Sequence, residues 1–269
     1  MTRSVWAITM VGDESDIIGY TISHMLSQKL DGIMVADNLS EDGTREILNG
    51  LADLHPGKLI IVDDKDPAMY QSAKMTALAQ RVAVLGAEMI IPFDADELWY
   101  STVAGKTVGE VLGETETRVV KVPVWNHYCS QNDAQDEINP YRRMIWMMPH
   151  PGKLWKVAFR YSPDLIIDNG NHQMIEHGRA LKADDVGLAL RHFAWRSEQQ
   201  WITKIRRGSR ALSLTDLPRG TGQHWREYGD SLAANGEEAS KAHFRKHFSF
   251  GLDPWDKMII APAPYTGEL

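Results

Sequence analysis

One cysteine in 269 residues is too few for an internal disulfide or a cysteine-rich zinc site. Cys129 stands alone, and a reducing, cytoplasmic setting is the expectation. Long apolar runs are lacking too: no stretch approaches the ~18 residues of a membrane span, so no permanent membrane insertion is expected. The amino terminus, MTRSVWAITMVGDES, meets acids too early for a secretory signal and reads as a first strand. There is no internal repeat, no low-complexity tract and no excess of positive charge. The net charge of −7 argues against a protein that coats nucleic acid. One local basic patch stands out, RHFAWRSEQQWITKIRRGSR, where Arg191, Arg196, Lys204, Arg206, Arg207 and Arg210 face a single acid, Glu198.

What is present is ordinary for a globular chain, 43% hydrophobic and 24% charged, and long enough for one large domain or a domain with an appendage. The first hundred residues alternate two periods. VWAITMV (5–11), GIMVAD (32–37), LIIVDD (59–64) and EMIIPF (88–93) are short apolar runs of strand length. Between them lie helical patterns over 14–29, around Ile47, Leu48 and Leu51, and over 70–85. Four strands separated by helices predict right-handed crossovers and a mainly parallel sheet flanked by helices. In such sheets ligands collect beyond the carboxyl ends of the strands. Acids follow every one of those ends: Asp13 and Glu14, Asp37, Asp63 and Asp64, then Asp94, Asp96 and Glu97 in IIPFDADELW. So much negative charge at one edge needs a cation, or the donors of a ligand, to neutralise it.

After Gly113 the alternation stops. RVVKVPVW (118–125), RRMIWMM (142–148) and LWKVAF (154–159) read as strands, with the long polar loop 127–141 between the first two. Helical pattern returns from Ser197, with Trp201, Ile205 and Leu212 on one face, and two further helices are expected over His224–Ala234 and Glu237–His247. The tail DPWDKMIIAPAPYTGEL is broken by prolines and reads as extended.

The stretch MVGDESDIIGYTISHMLSQKLDGIMVADNLSEDGTREIL resembles the opening of family 2 glycosyltransferases, and DADE at 94–97 stands where that family keeps its Asp-x-Asp motif. The match covers roughly the first hundred residues, with GNHQM (170–174) and the basic patch as looser downstream signatures. The resemblance implies the GT-A fold, a nucleotide-diphosphate sugar donor, UDP- or GDP-linked in the first instance, and Mn2+ or Mg2+. It implies a catalytic domain over 1–195, with a nucleotide-binding half (1–113) and an acceptor half (114–195), and a helical extension over 196–269. By matching, Asp96 would bind the metal and Asp94 the ribose or a metal-bound water. Glu14 and Asp37 would face the nucleoside, Lys74 would meet phosphate, and His172 would be a later metal ligand. The chemistry is consistent, since a departing diphosphate is stabilised by a hard cation held on carboxylate oxygens.

Each of these signals has a plainer reading. An Asp-x-Asp alone is a common surface turn; its place after a fourth strand, behind DNLSEDGT, gives it meaning. His172 could simply bond backbone, and so could His192. Lys204 and Arg207 lie opposite Trp201 and Ile205, which fits either a solvated helix face or a clamp on diphosphate or acceptor. An inverting hexosyltransferase also needs a carboxylate base. The family's usual Glu-Asp pair has no clear counterpart, and Asp136 and Asp168 are the candidates. The acceptor is open among glycan, protein, lipid and modified DNA. The rival readings are a nucleotidyltransferase, disfavoured by the acidic first loop MVGDESD, and a carbohydrate-binding or interaction protein that keeps a transferase fold without catalysis.

Overall fold

The computed structural model describes residues 2–134, 136–251, 255 and 257–269. Its first half alternates β1 (Val5–Val11), α1 (Ile18–Ser27), β2 (Gly32–Asp37), α2 (Thr44–Leu54), β3 (Leu59–Asp63), α3 (Gln71–Val84) and β4 (Met89–Pro92). β1 pairs in parallel with β2 and β4 on its two sides, and β2 in parallel with β3. The carboxyl ends of all four therefore share one edge. β2 and β4 are buried throughout and β1 nearly so, as strands covered on both faces must be. Ile18, Ile22 and Met25 of α1 and Leu48 and Leu51 of α2 cover one face, over Ala7, Ile33 and Val35. Met75, Leu78 and Val82 of α3 cover the other, over Ile8 and Met34.

The second half adds β5 (Glu97–Ser101), α4 (Val108–Glu114), β6 (Val119–Ser130), α5 (Pro140–Arg143), β7 (Trp146–Met147) and β8 (Trp155–Arg160). A small antiparallel sheet follows, β9 (Leu165–Ile167), β10 (Met174–Glu176) and β11 (Arg179–Ala180), then β12 (Leu188–His192). The chain continues through α6 (Glu198–Ser213), α7 (Gln223–His247), β13 (Ser249–Phe250) and β14 (Ile259–Ile260). β8 runs antiparallel between β4 and β6 and extends the main sheet. β12 pairs with both β5 and β6, which curls the sheet and sets His192 opposite Glu97 on one neighbour and Asn126 on the other. The expected class, a central sheet flanked by helices with a helical C-terminal segment, is the one observed.

One expectation changes. Arg142–Met148 is not one strand: Asn139 caps a short helix with Pro140 in its first turn, and only Trp146–Met147 pairs. Past the acid turn, Glu97 to Ser101 forms a strand that pairs with β12. The two helices expected after residue 223 are present within α7, separated at Gly236, whose φ of +80° suits glycine. Of the tail, Asp253, Pro254 and Asp256 lie outside the described residues; beyond them only Ile259–Ile260 is a strand. Among the described residues, no helix is long and apolar enough to cross a membrane.

Candidate active site

The Asp94–Glu97 turn links β4 to β5 and is closed on itself. The Glu97 amide donates to Asp94 O at 3.1 Å, and the Asp94 amide and Trp99 Nε1 both donate to Glu97 Oε2 at 3.1 Å. Glu97 is fully buried and pairs with Lys156 of β8 at 2.8 Å; the same ammonium also donates to Asp94. Burial pushes the Glu97 carboxyl up to about 7 against the pull of Lys156. On the far side of Asp94, Asn171 Nδ2 donates to Oδ1 at 3.1 Å from a left-handed backbone (φ +58°). Asn171 is buried, and its Oδ1 has no protein partner among the described residues.

Asp96, 5% exposed at its side chain, is the centre of a denser cluster. Lys204 of α6 reaches its Oδ2 at 2.5 Å, Arg196 stands 3.7 Å away and His192 Nε2 lies 3.6 Å from Oδ1. Burial would raise the Asp96 carboxyl, but Lys204, His192 and Arg196 outweigh it and hold it far below the usual carboxylate range. Arg196, with no exposed side-chain surface, also binds Glu14 at 2.6 Å and Asp16 at 2.7 Å, and Lys204 reaches Glu14 at 3.2 Å. His192 Nδ1 lies 2.8 Å from Asn126 Oδ1, an acceptor, which places the imidazole proton on Nδ1. Burial lowers the His192 pKa against the pull of Asp96. In the neutral ring, with its proton on Nδ1, the Nε2 lone pair faces Asp96 Oδ1 at 3.6 Å.

Further along the edge, Arg207 donates to Asp13 at 2.5 Å and to the Asn38 carbonyl, lying across Gly12. Asn38 Nδ2 in turn donates to Asp64 at 2.9 Å, and Asp64 pairs with Lys74 at 2.7 Å.

The fold thus gathers Glu14, Asp94, Asp96, Lys204 and Arg207 on one edge. On the face of α6 opposite Trp201, Lys204 and Arg207 are half-buried and turn into the acids. Asp37 and Lys74 stand at the β2–β3 end, Asp37 accepting from the Ser40 amide at 3.3 Å with Arg45 at 3.6 Å. His172 is bonded through Nδ1 to Trp155 O at 2.7 Å, within electrostatic reach of Lys156, Asp94 and Asp168; the histidine facing Asp96 is His192. Asp168 caps its own turn, accepting from the Asn169 amide at 2.8 Å, and Asp136 is exposed between β6 and α5. Among the described residues, no group of three or more His, Cys, Asp or Glu side chains is arranged to hold a metal ion. Sequence reasoning placed Arg196 in the basic patch without giving it a role, and did not reach Lys156 or Asn171. Arg196 had a signal in its position just before the Ser197 cap of α6; the other two come from strands and turns more than sixty residues away.

No protein-family model matches the sequence, and no curated protein matches it. Among solved structures, the chain is similar to the mannosyltransferase PcManGT from Pyrobaculum calidifontis in complex with GDP-Man and Mn2+, at 20% identity over 93% of this chain and 77% of that one, TM-score 0.43. It is also similar to a TarS fragment from S. aureus in complex with UDP, at 9% identity over 85% and 71%, TM-score 0.39. A third likeness is to glucosyl-3-phosphoglycerate synthase from Mycobacterium tuberculosis with Mg2+ and UDP, at 14% identity over 45% and 44%, TM-score 0.32. Likeness this distant decides nothing by itself, and the weight falls on the residues.

Proposed function

We propose that the protein is a GT-A-type glycosyltransferase that moves a sugar from a nucleotide-diphosphate donor to a hydroxyl acceptor with inversion. Residues 1–113 hold the nucleotide, 114–195 the acceptor, and 196–269 supply the cations over the diphosphate. The observation that carries this reading is Asp96: a buried carboxylate at the carboxyl edge of a parallel sheet, shared by Lys204 and Arg196 and faced by His192.

The residues present fit a divalent cation on one side. Asp96 Oδ1 and His192 Nε2 are two acceptors 3.6 Å apart, whereas Asp96 Oδ2 is taken by Lys204. Around them six carboxylates (Asp13, Glu14, Asp16, Asp94, Asp96, Glu97) meet four protein cations (Lys156, Arg196, Lys204, Arg207), which leaves two negative charges when all are ionised. Asp96 and His192 would hold Mn2+ or Mg2+, and the ion would supply Lewis-acid stabilisation of the leaving diphosphate. Lys204 and Arg207 are placed to exchange a carboxylate for phosphate oxygens. Lys156 and Asn171 hold Asp94 toward the donor. The acceptor's proton goes to a carboxylate of the acceptor half, with Asp168, on the Asn171 turn, and exposed Asp136 as the candidates.

One feature favours a second reading, a transferase fold that binds without catalysing: each carboxylate of the cluster already has a protein cation. Thermal unfolding with UDP, GDP, CDP, TDP and ADP, each with Mn2+ and with chelator, separates the two. A transferase gains ~2.7 kcal/mol of apparent stability at a hundredfold excess of one nucleotide over its Kd, only with metal. Asp96→Asn removes that gain. If no nucleoside diphosphate stabilises the folded protein, the binding reading takes its place.

A further inference from the structure

The tripeptide Asp94-Ala95-Asp96 is held from behind through its backbone. Ala95 O, the carbonyl between the two aspartates, receives a hydrogen bond from Thr21 Oγ1 at 2.5 Å, and Thr21 Oγ1 lies 2.7 Å from the Tyr141 hydroxyl. A carbonyl only accepts and each hydroxyl has one proton, so the direction is fixed: Thr21 donates to Ala95, and Tyr141 donates to Thr21. Ile17 O, 3.2 Å from Thr21 Oγ1, competes for the threonine proton at longer range. Thr21 and Tyr141 have no exposed surface, and burial keeps the phenol protonated. Thr21 belongs to α1 and Tyr141 to α5, so elements 74 and 120 residues apart meet at this point.

The turn has a second support. The Phe193 amide donates to Asp96 O at 2.9 Å, and the Phe193 ring stands edge-on to Tyr141 with centroids 4.8 Å apart. Tyr141 therefore touches both holds on the turn, one through its hydroxyl and one through its ring. A peptide unit is a rigid plane, so fixing the Ala95 carbonyl also fixes the peptide that leads into Asp96. Where two carboxylates must meet a ligand together, displacements on the ångström scale cost binding and rate.

We infer that Thr21 and Tyr141 are positioning residues for the Asp94–Asp96 turn, a two-hydroxyl relay that sets the angle at which the two aspartates face a metal-bound nucleoside diphosphate. The ligand named here rests on the function proposed above; the hold on the turn does not. The relay's hydrogen bond to the turn is made to the backbone, at the Ala95 carbonyl.

Two measurements test it on Thr21→Val, Thr21→Ser and Tyr141→Phe, each first shown to be folded by its unfolding temperature. The first is hydrogen–deuterium exchange of the peptide 93–99 in the protein without added ligand. Exchange there rises in Thr21→Val and Tyr141→Phe and returns to the wild-type rate in Thr21→Ser. The second is calorimetric binding of UDP and of GDP, each with Mn2+ and with EDTA. Loss of one net hydrogen bond corresponds to a Kd weakened ~5- to 10-fold with Mn2+ in Thr21→Val. The Kd in EDTA stays at the wild-type value and Thr21→Ser recovers both. Wild-type exchange across 93–99 in folded Thr21→Val or, should that variant not fold, in folded Tyr141→Phe overturns the inference. So does an unchanged ratio of the two Kd values. If the wild-type protein binds neither nucleotide, the proposed function fails, and the exchange measurement still decides the relay.

Discussion

Gly12 has no unusual dihedral; what it contributes is room. A Cβ there would overlap the Arg207 guanidinium, so the absence of a side chain lets α6 close onto Asp13 and the Asn38 carbonyl. Glu97 illustrates the opposite case, a large charged group with no room for water. Burial raises its pKa from 4.5 to about 7, so the folded state holds its proton more tightly than the unfolded chain. Its contribution to stability therefore falls as pH rises from about 4.5 to about 7. His24 and His127 act with the opposite sign. Burial lowers them from 6.5 to about 4 and about 3, so their contribution is lost as pH falls below 6.5. In the wild-type protein these slopes oppose one another across pH 4.5–6.5. Glu97→Gln removes one side of the balance, and urea unfolding should show stability dropping more steeply on acidification in the variant. An unchanged profile would mean that Glu97 is ionised throughout that range.

At the scale of elements, α6 determines whether the edge of the sheet is open or filled. Its amphipathic pattern was readable, Trp201, Ile205 and Leu212 facing inward as expected. The destination of the opposite face was not, because a helical period separates two faces without saying what covers the second. Here α7 packs on one side and the sheet edge receives the other, so Lys204 and Arg207 pair with acids. The parallel half of the fold was legible for a related reason: short apolar runs ending in acid reflect strands buried on both faces, a local property. β5 and β12 were not legible, since each exists through pairing with the other across some ninety residues. His192 and Arg196 stand at the end of β12 and just after it, so what they face was hidden with that strand. The α6–α7 contact has its own tight point at Gly229, where a Cβ would meet the side chain of Ser209. Gly229→Val should force the helices apart and cost ~1–3 kcal/mol. Urea unfolding checks the loss. A variant as stable as wild type would mean that the two helices adjust freely.

For the whole molecule, the C-terminal segment ties the curled sheet to its first helix. The Thr266 amide donates to His24 Nδ1 at 3.1 Å, while the other nitrogen of that ring bonds Trp99 O at 2.8 Å. Tyr265 stacks on both His24 and Tyr141. Residues from both halves of the chain thus converge behind the acid turn, while Lys204 and Arg196 reach Asp96 and Arg207 reaches Asp13 beside it. This arrangement has a consequence for the order of arrival. In the transferase proposed above, an ion that comes alone would find Asp96 engaged by Lys204 and, among the described residues, Asp96 Oδ1 and His192 Nε2 to receive it, too few ligands to hold a hard cation firmly. A diphosphate gives Lys204 and Arg207 a stronger partner and brings oxygens of its own, so nucleotide and metal should enter as one unit. Titration of free Mn2+, followed by electron paramagnetic resonance, should show uptake only beyond the millimolar range without nucleotide and at far lower concentration with it. Tight uptake of the ion by the nucleotide-free protein would instead place the metal first and the sugar donor second.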